Sequence, residues 1–268
     1  MENYKIGFIG GGNMGGALAE AAVRSLGGER VLIACRTEES TAAAAERTGA
    51  SPSTASEIAE KCRLVFLGVK PNMIEGVVRE IGETLAERQD GWAAVSMAAG
   101  VTVDSLCGML GGDARIIRMM PNTSVAVGEG MIAYTHRATD SDVCIFKEAM
   151  SKTGVIDELP EELIDAATAV MGCGPAFAYQ FAEAVADGGE RCGLSREAAE
   201  LYAAQMMLGA AKMMLTSDRS PRELRDAVCS PGGSTIEGVR TLEARGLRET
   251  VISAVEASFE RTKELGKK

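Results

Sequence analysis

The chain opens in short apolar runs separated by amphipathic stretches, and that rhythm predicts its first half. "YKIGFI" reads as an apolar strand over residues 4–9, and residues 17–26 follow with helical composition. "VLIA" gives a second strand over 31–34. "RLVFLGVKP" gives a third over 64–69, ending at Lys70-Pro71, with a helix over 73–85. "WAAVSMAAGV" reads as a strand leading into a small-residue loop, 103–110 as a helix and "ARIIRMMPN" as a further strand. Residues 131–135 read as a strand running into a polar loop that carries His136. Strands and helices alternating in this way predict a parallel sheet with helices on both faces. After Pro160 the strand signal stops. Gly174-Pro175 opens a helix with Phe177, Phe181, Ala184 and Val185 on one face, and Ser195 stands as the cap of the next. Residues 203–215 of that second helix are apolar almost all round, interrupted by Gln205 and Lys212. A helix of this kind must be covered on several sides, which predicts a dimer interface over the buried centre of a monomer. The expected organisation is an α/β domain over 1–160 and an all-α dimerisation domain over 161–268.

Between the first strand and its helix lie Gly10, Gly12 and Gly15 in the spacing Gly-x-Gly-x-x-Gly. Gly10 permits the tight turn, Gly12 lets backbone approach a pyrophosphate, and Gly15 lets the helix pack on the strand. The helix start adds free N–H groups and a partial positive charge. The first domain therefore reads as Rossmann-like. An NAD-preferring site usually ends its second strand with an acid for the ribose hydroxyls. Here Cys35 stands near that place and Arg36-Thr37 follow, so a guanidinium and a hydroxyl are available to a 2′-phosphate and NADPH is the expected cofactor, with NADH as a second possibility. The alternative for Arg36 is a solvated residue at the start of the next helix. Ligands of such sheets lie beyond the carboxyl ends of the strands, which groups Val69-Lys70-Pro71, Ala98-Ala99 and Pro121-Asn122 around one crevice. Lys70 reads equally well as a strand end turning to solvent.

"VCSPGGSTIEG" interrupts the helical second half. Ser234 with Glu237 three residues on forms the pattern of a capping box, which accounts for both residues. It does not account for Gly232-Gly233. Bare backbone there, free N–H groups and the Thr235 hydroxyl together make a cradle suited to a small carboxylate.

Composition narrows the chemistry. A formal charge of −10 argues against a nucleic-acid partner. The start of the chain lacks a basic segment followed by an apolar run, and the uncharged stretch over 166–182 is broken by Gly172-Cys173-Gly174-Pro175, so neither a signal peptide nor a membrane span is expected. Seven cysteines without a Cys-x-x-Cys pair fit reduced thiols in the cytoplasm, and a single histidine makes a metal site a poor reading. With His136 expected in a solvated loop, an imidazole acid–base scheme is weak, and a hydride acceptor needing no strong protein acid fits better.

At this point the residues resemble a known family. "AVCSPGGSTIEGVRTLE" is similar to the signature segment of pyrroline-5-carboxylate reductases. "FIGGGNMGGAL", "VFLGVKP", "SMAAGV", "RMMPNTSVAVGEGM", "GCGPAFAY", "LGAAKMML" and "VEASFERTKELG" resemble further family blocks in family order. The resemblance covers nearly the whole chain. It implies reduction of 1-pyrroline-5-carboxylate to L-proline by NADPH or NADH, the last step of proline synthesis, in a homodimer whose helical domains interleave and whose dimers often assemble into decamers. By position it implies that Gly10, Gly11, Gly12, Asn13 and Met14 hold the pyrophosphate, and Cys35, Arg36 and Thr37 the adenosine ribose and its phosphate. Val69, Lys70, Pro71, Met97, Ala98 and Ala99 would line the ribose and nicotinamide. Gly232, Gly233, Ser234 and Thr235 would hold the substrate carboxylate and ring nitrogen, with Thr235 as the catalytic hydroxyl and the partner chain completing the pocket. Three features depart from the family pattern: Cys35 in place of Asn or Ser, Ala55 where Asn is expected beside the adenine, and "MGCGPA" in place of "SGSGPA". Two rivals stand beside this reading. A hydroxyacid dehydrogenase would need Lys212 as its catalytic lysine, and a non-catalytic NADPH-binding regulator would show a degraded substrate loop.

Overall fold

The structure is a computed structural model and describes residues 5–265. Two compact units emerge. One takes in the chain up to Cys173 together with the segment from Ser258 onward, and the other is Gly174–Ala257. The first unit is built on an eight-stranded sheet in the order β3-β2-β1-β4-β5-β6-β7-β8. Its strands are β1 (Lys5–Ile9), β2 (Val31–Ala34), β3 (Ser51–Pro52), β4 (Cys62–Leu67), β5 (Ala93–Ser96), β6 (Ile116–Pro121), β7 (Gly130–Arg137) and β8 (Gly154–Glu158). The first expected strand begins one residue earlier, and Tyr4 lies outside the described residues.

The first six strands run parallel to their neighbours, but β7 is antiparallel to β6. This corrects the expectation of a wholly parallel sheet. A short 3₁₀ segment, Thr123–Val127, joins β6 to β7 without a crossover helix, so the chain can only return antiparallel. β8 then pairs parallel to β7, after the helix α6 described below.

The strand side chains alternate as a two-sided sheet requires. Ile6, Phe8, Leu64, Phe66, Ala93 and Val95 enter the core on one face, while Ile9, Leu32, Val65, Leu67 and Ala94 enter the core on the other. On the first face Phe8 stacks on Phe66 at 4.3 Å between ring centroids. Helices α1 (Asn13–Leu26), α2 (Glu38–Thr48) and α6 (Asp140–Ala149) contribute to that side, and α3 (Ala55–Lys61), α4 (Ile74–Glu87) and α5 (Val103–Leu110) to the other. The expected helix over 73–85 starts as a 3₁₀ turn, Pro71–Met73, because proline fixes a tight entry. α6 is anchored by a fully buried carboxylate. Asp142 completes a capping box with Thr139 and pairs with Arg63 at 2.7 Å and Arg115 at 3.4 Å.

His136 stands on β7, not in the polar loop expected for it. It is opposite Ile117 and packs near Tyr134. Its Nε2 lies 3.3 Å from Glu158 Oε1, and Tyr134 donates to Glu158 Oε2 at 2.6 Å. The strand continues two residues beyond the apolar run because β6 offers partners there, Ile117 opposite His136 and Ile116 opposite Arg137.

Past β8 come the short α7 (Ile164–Ala167) and a π-helical turn, Thr168–Gly172. The second unit holds α8 (Gly174–Arg191), α9 (Arg196–Thr216), α10 (Pro221–Ala227), α11 (Ser234–Ala244) and the first part of α12 (Leu247–Leu265). Ala182, Ala186, Ala199 and Ala203 form the seam where α8 meets α9. The rest of α9 is left uncovered by this chain, with Leu201 63%, Leu208 57% and Leu215 80% exposed.

Candidate functional site

The carboxyl ends of β2, β1, β4, β5 and β6 fall on one edge of the sheet, in register across Ala34, Ile9, Leu67 and Ser96. The order reverses between β1 and β4, which is where such sheets open a crevice. The turn after β1 lies at that point. Gly10 has φ +109, and a Cβ on it would sit 2.4 Å from the Gly68 carbonyl oxygen. Gly15 is packed as tightly, with its Cβ position 2.2 Å from the Gly10 oxygen. Both must be glycine.

Gly12 differs, because nothing lies within 4 Å of where its Cβ would be. It is the N-cap of α1, and no side chain caps that helix. The N–H groups of Gly11 and Gly12 make no hydrogen bond among the described residues. Open space, unpartnered backbone donors and an uncapped helix start are what a bound pyrophosphate needs, so the turn fits a dinucleotide. The side chain of Met14 is partly buried and packs against the core.

Beside the turn lies a cleft of about 860 Å³. It brings together Gly10, Cys35, Arg36, Thr37, Ala55 and Val69, all singled out from the sequence. Arg36 is exposed and makes no hydrogen bond or ion pair among the described residues. It is the only cation in a lining that also holds Glu38, Glu57 and Glu80. Glu57 is engaged by Ser53 at 2.7 Å and Lys61 at 2.5 Å, and these bonds, the lysine first, hold its carboxyl below the ordinary value. Thr37 caps α2 in a capping box with Ser40. Thr54, Asn72 and Met73 also line the cleft and were not read from the sequence. Only their place just after a strand or at a helix start could have pointed to them.

The remaining expected cofactor residues divide. Lys70 and Pro71 are exposed beyond β4. Ala98 is 3% exposed and belongs to the core, with its N–H donated to Ser96 Oγ at 3.3 Å. Ala99 packs against the small cluster of Met120, Ala133 and Ile164, and Met97 is half-buried. The Asn122 amide is committed elsewhere. Nδ2 donates to the Met171 carbonyl at 3.1 Å, and Oδ1 accepts from the Met131 N–H at 3.1 Å. It ties the end of β6 to the π-helical turn.

In the second unit, the loop before α11 departs from the sequence reading. The expected capping box does not form. Gly233 is the N-cap, Ser234 is already the first helical residue, and Glu237 pairs with Arg240 at 2.8 Å. Once Ser234 has entered the helix its hydroxyl no longer faces the orphan N–H groups, so Glu237 is free to bond one turn on. The hydroxyls of Ser234 and Thr235 make no hydrogen bond among the described residues. Gly232 sits at φ +71, in the left-handed region, with nothing near its Cβ position. The result is an uncapped helix start with bare backbone before it and two available hydroxyls.

This chain is similar to known proteins over nearly its whole length. A family model described as "Pyrroline-5-carboxylate reductase dimerisation" matches residues 161–265, and one described as "NADP oxidoreductase coenzyme F420-dependent" matches 5–100. The pyrroline-5-carboxylate reductase of Escherichia coli (strain K12) is 38% identical over 98% of this chain and 98% of its own length. The solved structure of a pyrroline-5-carboxylate reductase from Coxiella burnetii superposes with TM-score 0.91 at 32% identity, covering 98% of this chain and 99% of that one. The Plasmodium falciparum pyrroline carboxylate reductase, solved with NADP bound, gives TM-score 0.87 at 32% identity over 99% of both chains.

Proposed function

Because the chain belongs to the pyrroline-5-carboxylate reductase family, we propose that it reduces 1-pyrroline-5-carboxylate to L-proline with NAD(P)H, preferring NADPH. The observation that carries the reading is the start of α11, where Gly232 and Gly233 are bare and the Ser234 and Thr235 hydroxyls are not used to cap the helix.

Gly10 to Met14 would hold the pyrophosphate through backbone N–H groups. Arg36 and Thr37, beside Cys35, would hold the adenosine ribose and its 2′-phosphate. Val69, Lys70, Pro71, Met97, Ala98 and Ala99 would line the ribose and nicotinamide, with Asn122 fixing the strand end behind them. The bound cofactor supplies the hydride. At α11 the N–H groups of Ser234 and Thr235, the first two of the helix, aided by the helix dipole, would hold the substrate carboxylate, a contribution of roughly 0.3–2 kcal/mol. A cyclic imine protonated by solvent needs no protein acid. Thr235 Oγ1 accepts a hydrogen bond from the ring N–H and holds the nitrogen as it becomes an amine. The chain's one histidine takes no part, since His136 on β7 is engaged by Glu158 on β8.

Residues 161–268 act as the dimerisation and substrate-binding part and 1–160 as the cofactor domain. The uncovered apolar length of α9 supports a homodimer, and a decamer is a further step of the same assembly. No helix among the described residues is long and apolar enough to cross a membrane. Reaction in the cytoplasm, with no nucleic-acid partner, fits the free thiols and the charge of −10.

The test is the decay of NADPH absorbance with and without pyrroline-5-carboxylate, repeated with NADH. Oxidation only with the imine present, and faster with NADPH, is expected. NADPH that binds and is never oxidised would overturn the activity.

A further inference from the structure

The three-glycine spacing accounts for Gly10, Gly12 and Gly15 and leaves two neighbours, Gly11 and Gly16, unexplained. Gly16 is the more puzzling. It is buried inside α1, where alanine would serve the helix better. The structure accounts for both through α2. A Cβ on Gly11 would lie 2.8 Å from Ala44 Cβ and 2.8 Å from Cys35 Sγ, so α2 and the strand before it press on the turn. A Cβ on Gly16 would lie 2.4 Å from Arg47 Nη2. That guanidinium crosses Gly16 to reach the turn, where Nη2 donates to the Gly11 carbonyl oxygen at 2.5 Å.

The ordinary reading of Arg47 is a cation in the last turn of α2, favourable with the helix dipole. It explains the charge and neither glycine. The contact with Gly11 explains more. The Gly11 carbonyl and the Gly12 N–H belong to one planar trans peptide, so they point in opposite directions and move together. A cation holding the carbonyl thereby fixes the direction of the N–H and polarises it as a donor. The Gly12 N–H has no partner among the described residues.

We propose that Arg47 is a positioning residue for the dinucleotide turn: it anchors the Gly11 carbonyl, aims the Gly12 N–H at the cofactor pyrophosphate, and requires Gly16 to do so. The inference rests on the reading of this turn as the cofactor site and deepens it. It also separates two arginines. Arg36 concerns only the 2′-phosphate, whereas the pyrophosphate is common to NADPH and NADH.

The experiment is calorimetric titration of NADPH and of NADH into wild type, Arg47→Met, Arg47→Lys, Gly16→Ala and the Arg47→Met/Gly16→Ala pair, with melting temperatures recorded for each. Arg47→Met is expected to weaken both nucleotides by the same factor, about tenfold, leaving their ratio as in wild type. Arg47→Lys, which keeps a cationic donor on the same stem, recovers part of the loss. Gly16→Ala weakens both nucleotides in wild type, because its Cβ displaces the guanidinium, and adds little once Arg47 is gone. Unchanged affinities in Arg47→Met, a loss confined to NADPH, or fully additive losses would each overturn the positioning role. Should Arg47→Met not fold, the lysine and Gly16→Ala variants decide in the same way. If wild type binds neither nucleotide, the cofactor reading fails and takes this inference with it. If wild type binds and Arg47→Met binds equally well, only the role of Arg47 fails.

Discussion

Helices α1 and α11 begin alike and are held differently. Six other helices, α2, α3, α5, α6, α9 and α10, are capped by the Ser or Thr side chain that precedes them. α1 and α11 start instead on Gly12 and Gly233 with no side-chain cap. Around Gly12 the turn is braced on several sides: by Gly68 against Gly10, by Gly10 against Gly15, and by Arg47 on the Gly11 carbonyl. Around Gly233 the support is local and thin, a single bond from its N–H to the Ser230 carbonyl at 3.0 Å, with Gly232 open on every side. The turn proposed for a large, shared cofactor is thus braced within its own unit. The loop proposed for a small substrate has no comparable bracing among the described residues.

The largest expected effect falls on the braced turn. Gly15→Ala places a Cβ 2.2 Å from a backbone oxygen that has no room to retreat. NADPH affinity should drop about 100-fold or more by fluorescence titration, with the secondary structure intact by circular dichroism. A change under about threefold would show that the turn yields, and the contrast with α11 would dissolve. Next comes the looser site. Thr235→Ala should cost at least about tenfold in kcat/KM for the imine, roughly 1.4 kcal/mol of transition-state binding. Its melting temperature should hold, because Thr235 caps nothing. Ser195→Ala is the control with the opposite pattern. It removes a true cap, should cost about 1 kcal/mol of stability, and should leave binding alone. A fall in melting temperature for Thr235→Ala would return that residue to a structural role.

Smaller still is Arg36→Met, expected to raise the KM for NADPH about fivefold and leave that for NADH unchanged. Equal KM changes for both cofactors would remove Arg36 from the 2′-phosphate. The smallest effect is a difference in thiol labelling. Near pH 8, NADPH should slow the reaction of Cys35, which borders the turn, and L-proline should slow that of Cys229, which precedes the loop. Cys62 is the silent reference, since burial pushes its thiol up to about 12. Its raised value contributes stability that is complete below the unfolded thiol pKa of roughly 8.5. That contribution is lost as pH rises toward 12. Labelling of Cys62 at the rate of the others would report unfolding and not chemistry.

The sequence made the strongly apolar elements legible, and the weakly apolar ones were lost. Residues 31–34 and 103–110 agree with β2 and α5 to the residue, because a buried strand or an amphipathic helix writes its own period. β3, with two residues, and β8, mostly exposed, carry no such period and exist because a neighbouring strand offers hydrogen bonds. His136 was misread for the same reason: its strand is defined by Ile117 opposite and Glu158 beside it, neither of them near in sequence. In the site, Gly10, Gly12 and Gly15 were legible from spacing alone. The role of Gly16 was not, since it depends on a guanidinium 31 positions on. The failed capping box teaches the converse. Ser234 and Glu237 satisfied the pattern, but a cap depends on where the helix starts, and two glycines moved that point.

The guanidinium lying across Gly16 also constrains the order in which this sequence can change. With Arg47 in place, a methyl group at position 16 meets Nη2 at 2.4 Å and is resisted, although the helix around it would gain from alanine. Once Arg47 is replaced the obstacle is gone, and a side chain entering at 16 then blocks the arginine from returning. The pair behaves as a ratchet: an alanine at 16 is accepted more easily after position 47 has changed, since otherwise it pushes the Arg47 side chain off its contact, and once in place it makes the change at 47 hard to reverse.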